Sequence, residues 1–413
     1  MHVGPDVSHG FPSAEANTKT QTHIAGSGFC RGERVSIAAS SKGRVWSPDS
    51  AASLKEWRDW CDELGTRLLD ESISIDSIIA NFILPEPVQG RPGAAVLALE
   101  WPWRLYELMT ETLHIEHDGH SYWILDLDLR PANEATTGPI AFDVATDYWA
   151  VRYDLQIEDG KLTYRCLAPT ELVVRNRKDT VPLSQWLNAA GLTIHFQGDQ
   201  TLDPDGILIR INHDIDPYPR EKLVAVDWKG TNLKVESQKE EKLADSIQAR
   251  AIRDLLAERA WDVVLDDDGA GEVADIVAVT LTDDSVLVRL IHCKYAGAAT
   301  AGARVDDLYE VCGQAIKSVR WRQHISDMFR HLEQRAKKKY NRTGVSPWEA
   351  GDLAALYRLR DHAQLVPLTF QIVIVQPGLS KQKATADQLQ QLASTELHVR
   401  HTADASLTVI CNT

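Results

Sequence analysis

Two apolar runs, joined by a four-residue turn and ended by charged side chains, constrain this chain more than any other stretch. Gly271 to Tyr295 reads GEVADIVAVTLTDDSVLVRLIHCKY. Asp275 opens the first run, Ile276 to Val279, and Thr282-Asp283-Asp284-Ser285 supplies the turn. The second run, Val286 to Ile291, ends in His292-Cys293-Lys294. Strands that are apolar on both faces belong at the centre of a sheet, so polar residues at their ends border the core. The pattern predicts an acid and a lysine side by side where two neighbouring strands part. Such a pair can be a plain ion pair, or it can do chemistry.

This arrangement resembles the active-site hairpin of the PD-(D/E)XK nuclease superfamily, in which an Asp starts one strand and an acid-x-Lys ends the next. Here Asp275 is followed seventeen residues on by His292-x-Lys294. The resemblance implies that Asp275 is a metal ligand, that Lys294 is the catalytic lysine and that the carbonyl of Cys293 is a further ligand. The implied cofactor is Mg²⁺ or Mn²⁺. Phosphodiester hydrolysis needs a hard cation to offset transition-state charge and to activate water, and a lysine beside it to orient that water or shield charge. His292 departs from the pattern, standing where the family has Asp or Glu. Either it binds the cation through nitrogen, which favours Mn²⁺, or another carboxylate takes the role, Glu272 being one candidate. Asp245 is a second, because Glu241, Asp245 and Gln248 share one face of an expected helix. On the next helix Glu310 and Gln314 lie one turn apart, and Gln314 is expected to reach the site. Some relatives carry Gln-x-x-x-Tyr there; this chain has Ser318 at the Tyr position.

The order of elements extends the resemblance over about 170 residues. A helix is expected over Ala244 to Ala260, strands at Trp261 to Leu265 and in the hairpin, a long helix from Val305 to about Lys338, and a third over Trp348 to His362. Then come a strand at Phe370 to Gln376, a helix at Ala384 to Ala393 and strands at His398 to His401 and Ser406 to Cys411. With one inserted helix this is compatible with the family's α-β-β-β-α-β core, and it is most similar to Mrr-like, defence-associated nucleases. The expected fold is therefore α+β and multi-domain, a β-rich N-terminal domain followed by a restriction-endonuclease-like α/β domain. Residues 1–28 read as a flexible arm, 29–110 as a mixed α/β segment with a second short helix at Ile75 to Ala80, 111–238 as an antiparallel β-rich domain and 239–413 as the nuclease domain.

Charge supports a division of labour. The net charge is −15, yet residues 241–413 carry 21 Lys and Arg against 23 Asp and Glu, leaving −13 to the first 240 residues. Ile316 to Arg342 is basic, with nine Lys and Arg against Asp327 and Glu333. Lys317, Arg320, Arg322, Arg335, Lys337, Lys338 and Lys339 are the expected nucleic-acid contacts, with Trp321 and Tyr340 interleaved for stacking. DNA is the expected partner, with RNA and a homo-oligomer left open. The chain has no phosphate-loop motif, which points to partnership with an ATP-driven helicase or a sensor. The six scattered cysteines, the lack of an eighteen-residue apolar run and an N-terminus without a basic, apolar leader predict a cytoplasmic protein away from membranes. The expected function is metal-dependent DNA cleavage in bacterial defence, with the N-terminal region for recognition or docking. The alternative is a nuclease-like fold without catalysis that binds nucleic acid or acts as a scaffold.

Overall fold

The computed structural model describes residues 23–30, 33–40, 45–46, 53–69, 84–102, 105, 113–176, 179–210, 215–298, 300–322 and 324–413. The expected helix at Ile75 to Ala80 and most of the N-terminal arm lie outside them. Residues 23–28 do not belong to an arm: His23–Cys30 is a strand paired along its whole length with Glu33–Ser40.

Among the described residues the chain forms seven α-helices and five sheets, a mixed α+β architecture. No helix among them is long and apolar enough to cross a membrane. Three antiparallel sheets fill residues 84 to 210. The strand Val96–Glu100 edges one of them, and Asp128–Pro131 edges another.

The largest sheet has seven strands in the order Val224–Val226, Ser406–Asn412, Leu368–Ser380, Val286–Cys293, Ile276–Leu281, Val263–Asp266 and Trp348–Ala350. The two apolar runs lie at its centre and pair antiparallel, and Leu368–Ser380 runs parallel to Val286–Cys293. Their near-complete burial follows from their having no polar face. Val224–Val226 joins this sheet by pairing parallel with Ser406–Asn412, although its sequence reads as part of the β-rich segment. Leu233 to Ser237, at the end of the expected β-rich segment, forms a turn and irregular backbone rather than a strand.

Helices cover both faces. Ile247–Glu258 packs Ile247, Ile252 and Leu255 against Ile276 and Ile291. Asp306–Ser318 packs on the other face in a cluster that continues without a break into Phe142 and Tyr153 of the N-terminal sheets. The expected long helix from Val305 is two α-helices, Asp306–Ser318 and Ile325–Thr343, with a 3₁₀ turn at Val319–Arg322. His398 to His401 is the last turn of the helix Ala386–Ala403, not a strand.

Two glycines hold the N-terminal sheets tightly against this core. A Cβ at Gly313 would lie 2.1 Å from the Leu97 carbonyl oxygen, so the helix Asp306–Ser318 can touch Val96–Glu100 only there. Gly271 has φ +76, and a Cβ on it would lie 2.5 Å from the Leu125 oxygen.

Candidate metal centre

The register of the central hairpin builds the site. Ile276 pairs with Ile291, so one further step sets Asp275 opposite His292. Asp275 is 1% exposed and His292 2%. The Asp275 Oδ2 accepts a 3.0 Å hydrogen bond from the Cys293 N–H and lies 3.7 Å from His292 Nδ1.

Ser318 fixes the imidazole. Its Oγ lies 2.6 Å from His292 Nε2, and it donates to a carbonyl, that of Gln314 at 3.0 Å or that of Val273 at 3.4 Å. A hydroxyl has one proton, so with it spent on a carbonyl the oxygen accepts from Nε2–H. Nδ1 then carries the lone pair, and it has no hydrogen-bond partner. Burial, helped by the charge on Lys317, pushes the His292 pKa down to about 3. The ring is neutral at physiological pH, as a metal ligand must be.

Glu272 completes a cluster. Its carboxylate, the Asp275 carboxylate and the His292 imidazole offer ligand atoms that all lie within 4.8 Å of one another. Gly269 N–H donates to Glu272 Oε2 at 3.1 Å, and Gln314 Nε2 donates to Oε1 at 3.3 Å. Burial and the crowding of like charges raise both carboxyls well above the ordinary range: Asp275 and Asp268 act on Glu272, and Asp268 and Glu236 on Asp275. A cation would relieve that repulsion, and the unpartnered Nδ1 would face it. The Gln314 Oε1, also buried and unpartnered, lies in the same region. The donor set, two carboxylates and a neutral imidazole, fits a divalent cation and suits Mn²⁺ better than Mg²⁺.

Lys294 sits beside the cluster with its side chain 12% exposed, held by Glu310 Oε1 at 2.7 Å and Glu236 Oε2 at 3.2 Å. Burial works against its charge, but Glu236 and Glu310 outweigh it and hold the pKa above the ordinary lysine range. Cys293 contributes its N–H to Asp275, and burial keeps its thiol protonated.

A cavity of about 510 Å³ opens beside these groups. Glu272, His292, Lys294 and Gln314 line it on one side, and residues 96–101 and 127–134 of the N-terminal sheets line the other. Asp275 does not reach its wall.

No family model, curated protein or solved structure matches the chain.

Several expected site residues lie elsewhere. Asp245 is exposed and precedes the helix, whose N-cap is Ser246. Residues 239–246 form turns rather than helix, so the expected Glu241–Asp245–Gln248 face does not form. Only Gln248 reaches inward, donating to Asp266 Oδ1 and to the Asp275 carbonyl, each at 3.0 Å. The basic segment is largely spent inside the fold. Arg335 donates to Asp267 Oδ1 at 2.6 Å and to the Ala270 carbonyl, and Lys339 pairs with Asp266 at 2.8 Å. Arg320 pairs with buried Glu100 at 2.7 Å. These three brace the fold where phosphate contacts were expected: Arg335 and Lys339 because the helix Ile325–Thr343 lies along the acidic loop Asp266–Asp268, and Arg320 because the turn before that helix meets Glu100. Lys337 and Lys338 are exposed, paired with Glu333 and Asp126. Arg322 is partly buried, and Lys317 lines the cavity.

Glu236, Ser318 and His331 carry weight that the sequence did not announce. Glu236 lies in ESQKEEK, which looks like a linker. His331 Nε2 bonds the Gly271 carbonyl at 2.7 Å and supports the loop that carries Glu272. Glu236 and His331 belong to no periodic pattern or spacing motif, and Ser318 stood out only as the residue at the Tyr position of Gln-x-x-x-Tyr.

Proposed function

We propose that the chain is a metal-dependent phosphodiesterase acting on nucleic acid, with residues from about 224 onward forming a restriction-endonuclease-like domain. The observation that carries this reading is the convergence of Glu272, Asp275 and the unpartnered Nδ1 of His292 beside Lys294, at the open end of a central hairpin. The element order supports it: a helix, three antiparallel strands, a helix, and a strand parallel to the third.

Glu272, Asp275 and His292 would hold the cation. When bound, it supplies charge to offset that of the phosphoryl transition state and to acidify water. Lys294 keeps its proton on Nζ between Glu236 and Glu310 and presents a fixed positive charge, so its role is electrostatic and orienting rather than basic. Glu236 accepts from Lys294 Nζ and from the Tyr295 N–H at 3.0 Å and so holds that lysine in position. Gln314 orients Glu272 through Nε2 and leaves Oε1 free to accept.

A second reading has its own support. Asp275 stands behind the cavity wall and Lys294 is engaged by two carboxylates, as in a nucleic-acid-binding module that has lost catalysis. Incubation with plasmid and linear DNA in Mn²⁺, Mg²⁺ or EDTA separates the two. Cleavage in Mn²⁺ that stops in EDTA and in Lys294→Ala supports the phosphodiesterase. Binding without cutting under all conditions supports the module.

A further inference from the structure

The cavity is the right size for a nucleotide and the wrong shape for a duplex. Its volume, about 510 Å³, falls in the range of small-molecule sites. Its far wall belongs to the N-terminal sheets and is bolted in place. Trp101 Nε1 donates to the Leu127 carbonyl at 3.0 Å, the Gly271 N–H donates to Asp128 Oδ1 at 2.9 Å, and Arg320 ties Glu100 across the interface. The contacts at Gly313 and Gly271 leave no room for even one added carbon. A continuous duplex laid along the hairpin would have to displace this wall. One unpaired nucleotide would not.

The lining suits such a guest. Tyr295 is 46% exposed, with Lys294 Nζ 5.0 Å from its ring centre, and Tyr309 stands on the same cavity. Each offers a ring on which any base can stack. Arg130, paired with Asp128 at 2.9 Å, and Lys317 also line the cavity, among acids such as Glu134, Asp306 and Glu310 whose charge a bound cation would offset.

We infer that the site takes the free end of a single strand, one nucleotide at a time, and excludes the interior of a duplex. This rests on the phosphodiesterase reading. In each cycle water adds to phosphorus, the bond from phosphorus to the departing sugar oxygen breaks, and the water's proton ends on that oxygen. The products are one nucleoside monophosphate and a strand shorter by one residue.

A nucleoside monophosphate is the shared chemistry of two sources, a free nucleotide and a strand end, and the test separates them. The full chain with Mn²⁺ is given a labelled linear single strand, the same strand closed into a circle, and a blunt duplex. In parallel, thymidine 5′-monophosphate is titrated into the protein by calorimetry. The inference expects the linear strand to shorten by mononucleotides while the circle stays intact. It expects Tyr295→Ala to weaken nucleotide binding by about 5- to 150-fold, with Tyr295→Phe close to wild type. A circle opened as fast as the linear strand is cut overturns the inference and leaves the phosphodiesterase standing. Nucleotide binding with no substrate cut removes the phosphodiesterase and the strand-end reaction together, and leaves a site for the free nucleotide. No nucleotide binding overturns the cavity's assignment whatever is cut.

Discussion

His292 is the residue on which the chemistry turns, and Ser318 decides how it presents itself. With Nε2–H committed to Ser318 Oγ at 2.6 Å, the lone pair sits on Nδ1 beside Asp275. Groups that orient a ligating imidazole are worth about 10- to 100-fold in metal affinity. Ser318→Ala is therefore expected to weaken Mn²⁺ binding by about that factor, and Ser318→Thr, which keeps the hydroxyl, to weaken it much less. Calorimetry on the two proteins checks this, and equal losses in both would place the effect in packing. Asp275 allows a second prediction at this scale. Its folded pKa lies above its unfolded one, so between the two the folded chain binds more protons and stability falls as pH rises. Asp275→Asn cannot ionise but can still accept from Cys293 N–H. The melting temperature of the Asn variant relative to wild type should climb from pH 4 toward neutrality in metal-free buffer. Comparing the two proteins at each pH cancels the opposing contribution of buried His331, which is neutral down to about 3 and adds stability as pH rises through the unfolded imidazole range. A constant difference between the proteins would contradict the assignment.

At the scale of elements, the helix Ile325–Thr343 does work that its charge pattern disguises. Its inner basic residues neutralise the acidic loop that carries the site, whereas Lys337 lies outside with its side chain 53% exposed. Removing one partner of a buried ion pair costs about 3–5 kcal/mol, and an exposed pair contributes about 0–1 kcal/mol. Arg335→Ala should lower stability by an amount near the first range and Lys337→Ala should lower it far less, as measured by urea unfolding. Similar small effects would mean that Arg335 is not structural. The same helix shows what was legible. Apolar periodicity located the central hairpin, and with it Asp275, His292 and Lys294, because buried strands announce themselves as unbroken apolar runs. Gln314 was reachable by counting helical turns. The break at Val319–Arg322 was not, since the apolar residues on either side keep helical spacing. Nor could spacing reveal that Arg320, Arg335 and Lys339 face acids from distant segments such as Glu100 and Asp266, since ion-pair partners carry no local signal. Asp245 misled because helical pattern extended the helix past Ser246, whose hydroxyl starts it by accepting from Ala249 N–H.

At the scale of the whole molecule, one hydrophobic cluster runs from the N-terminal sheets into the seven-stranded sheet, and the cavity lies where the two meet. The N-terminal region therefore lines about half of the cavity beside the candidate site. The proposed metal site requires Glu272, Asp275 and His292 together to hold a divalent cation. Titration of the full chain with Mn²⁺, followed by electron paramagnetic resonance of the free ion, tests it most directly. One Mn²⁺ per chain is expected, lost in Asp275→Asn and in His292→Ala when both variants are folded by circular dichroism. Wild type that takes up no Mn²⁺, or variants that bind it as tightly as wild type, would contradict the claim.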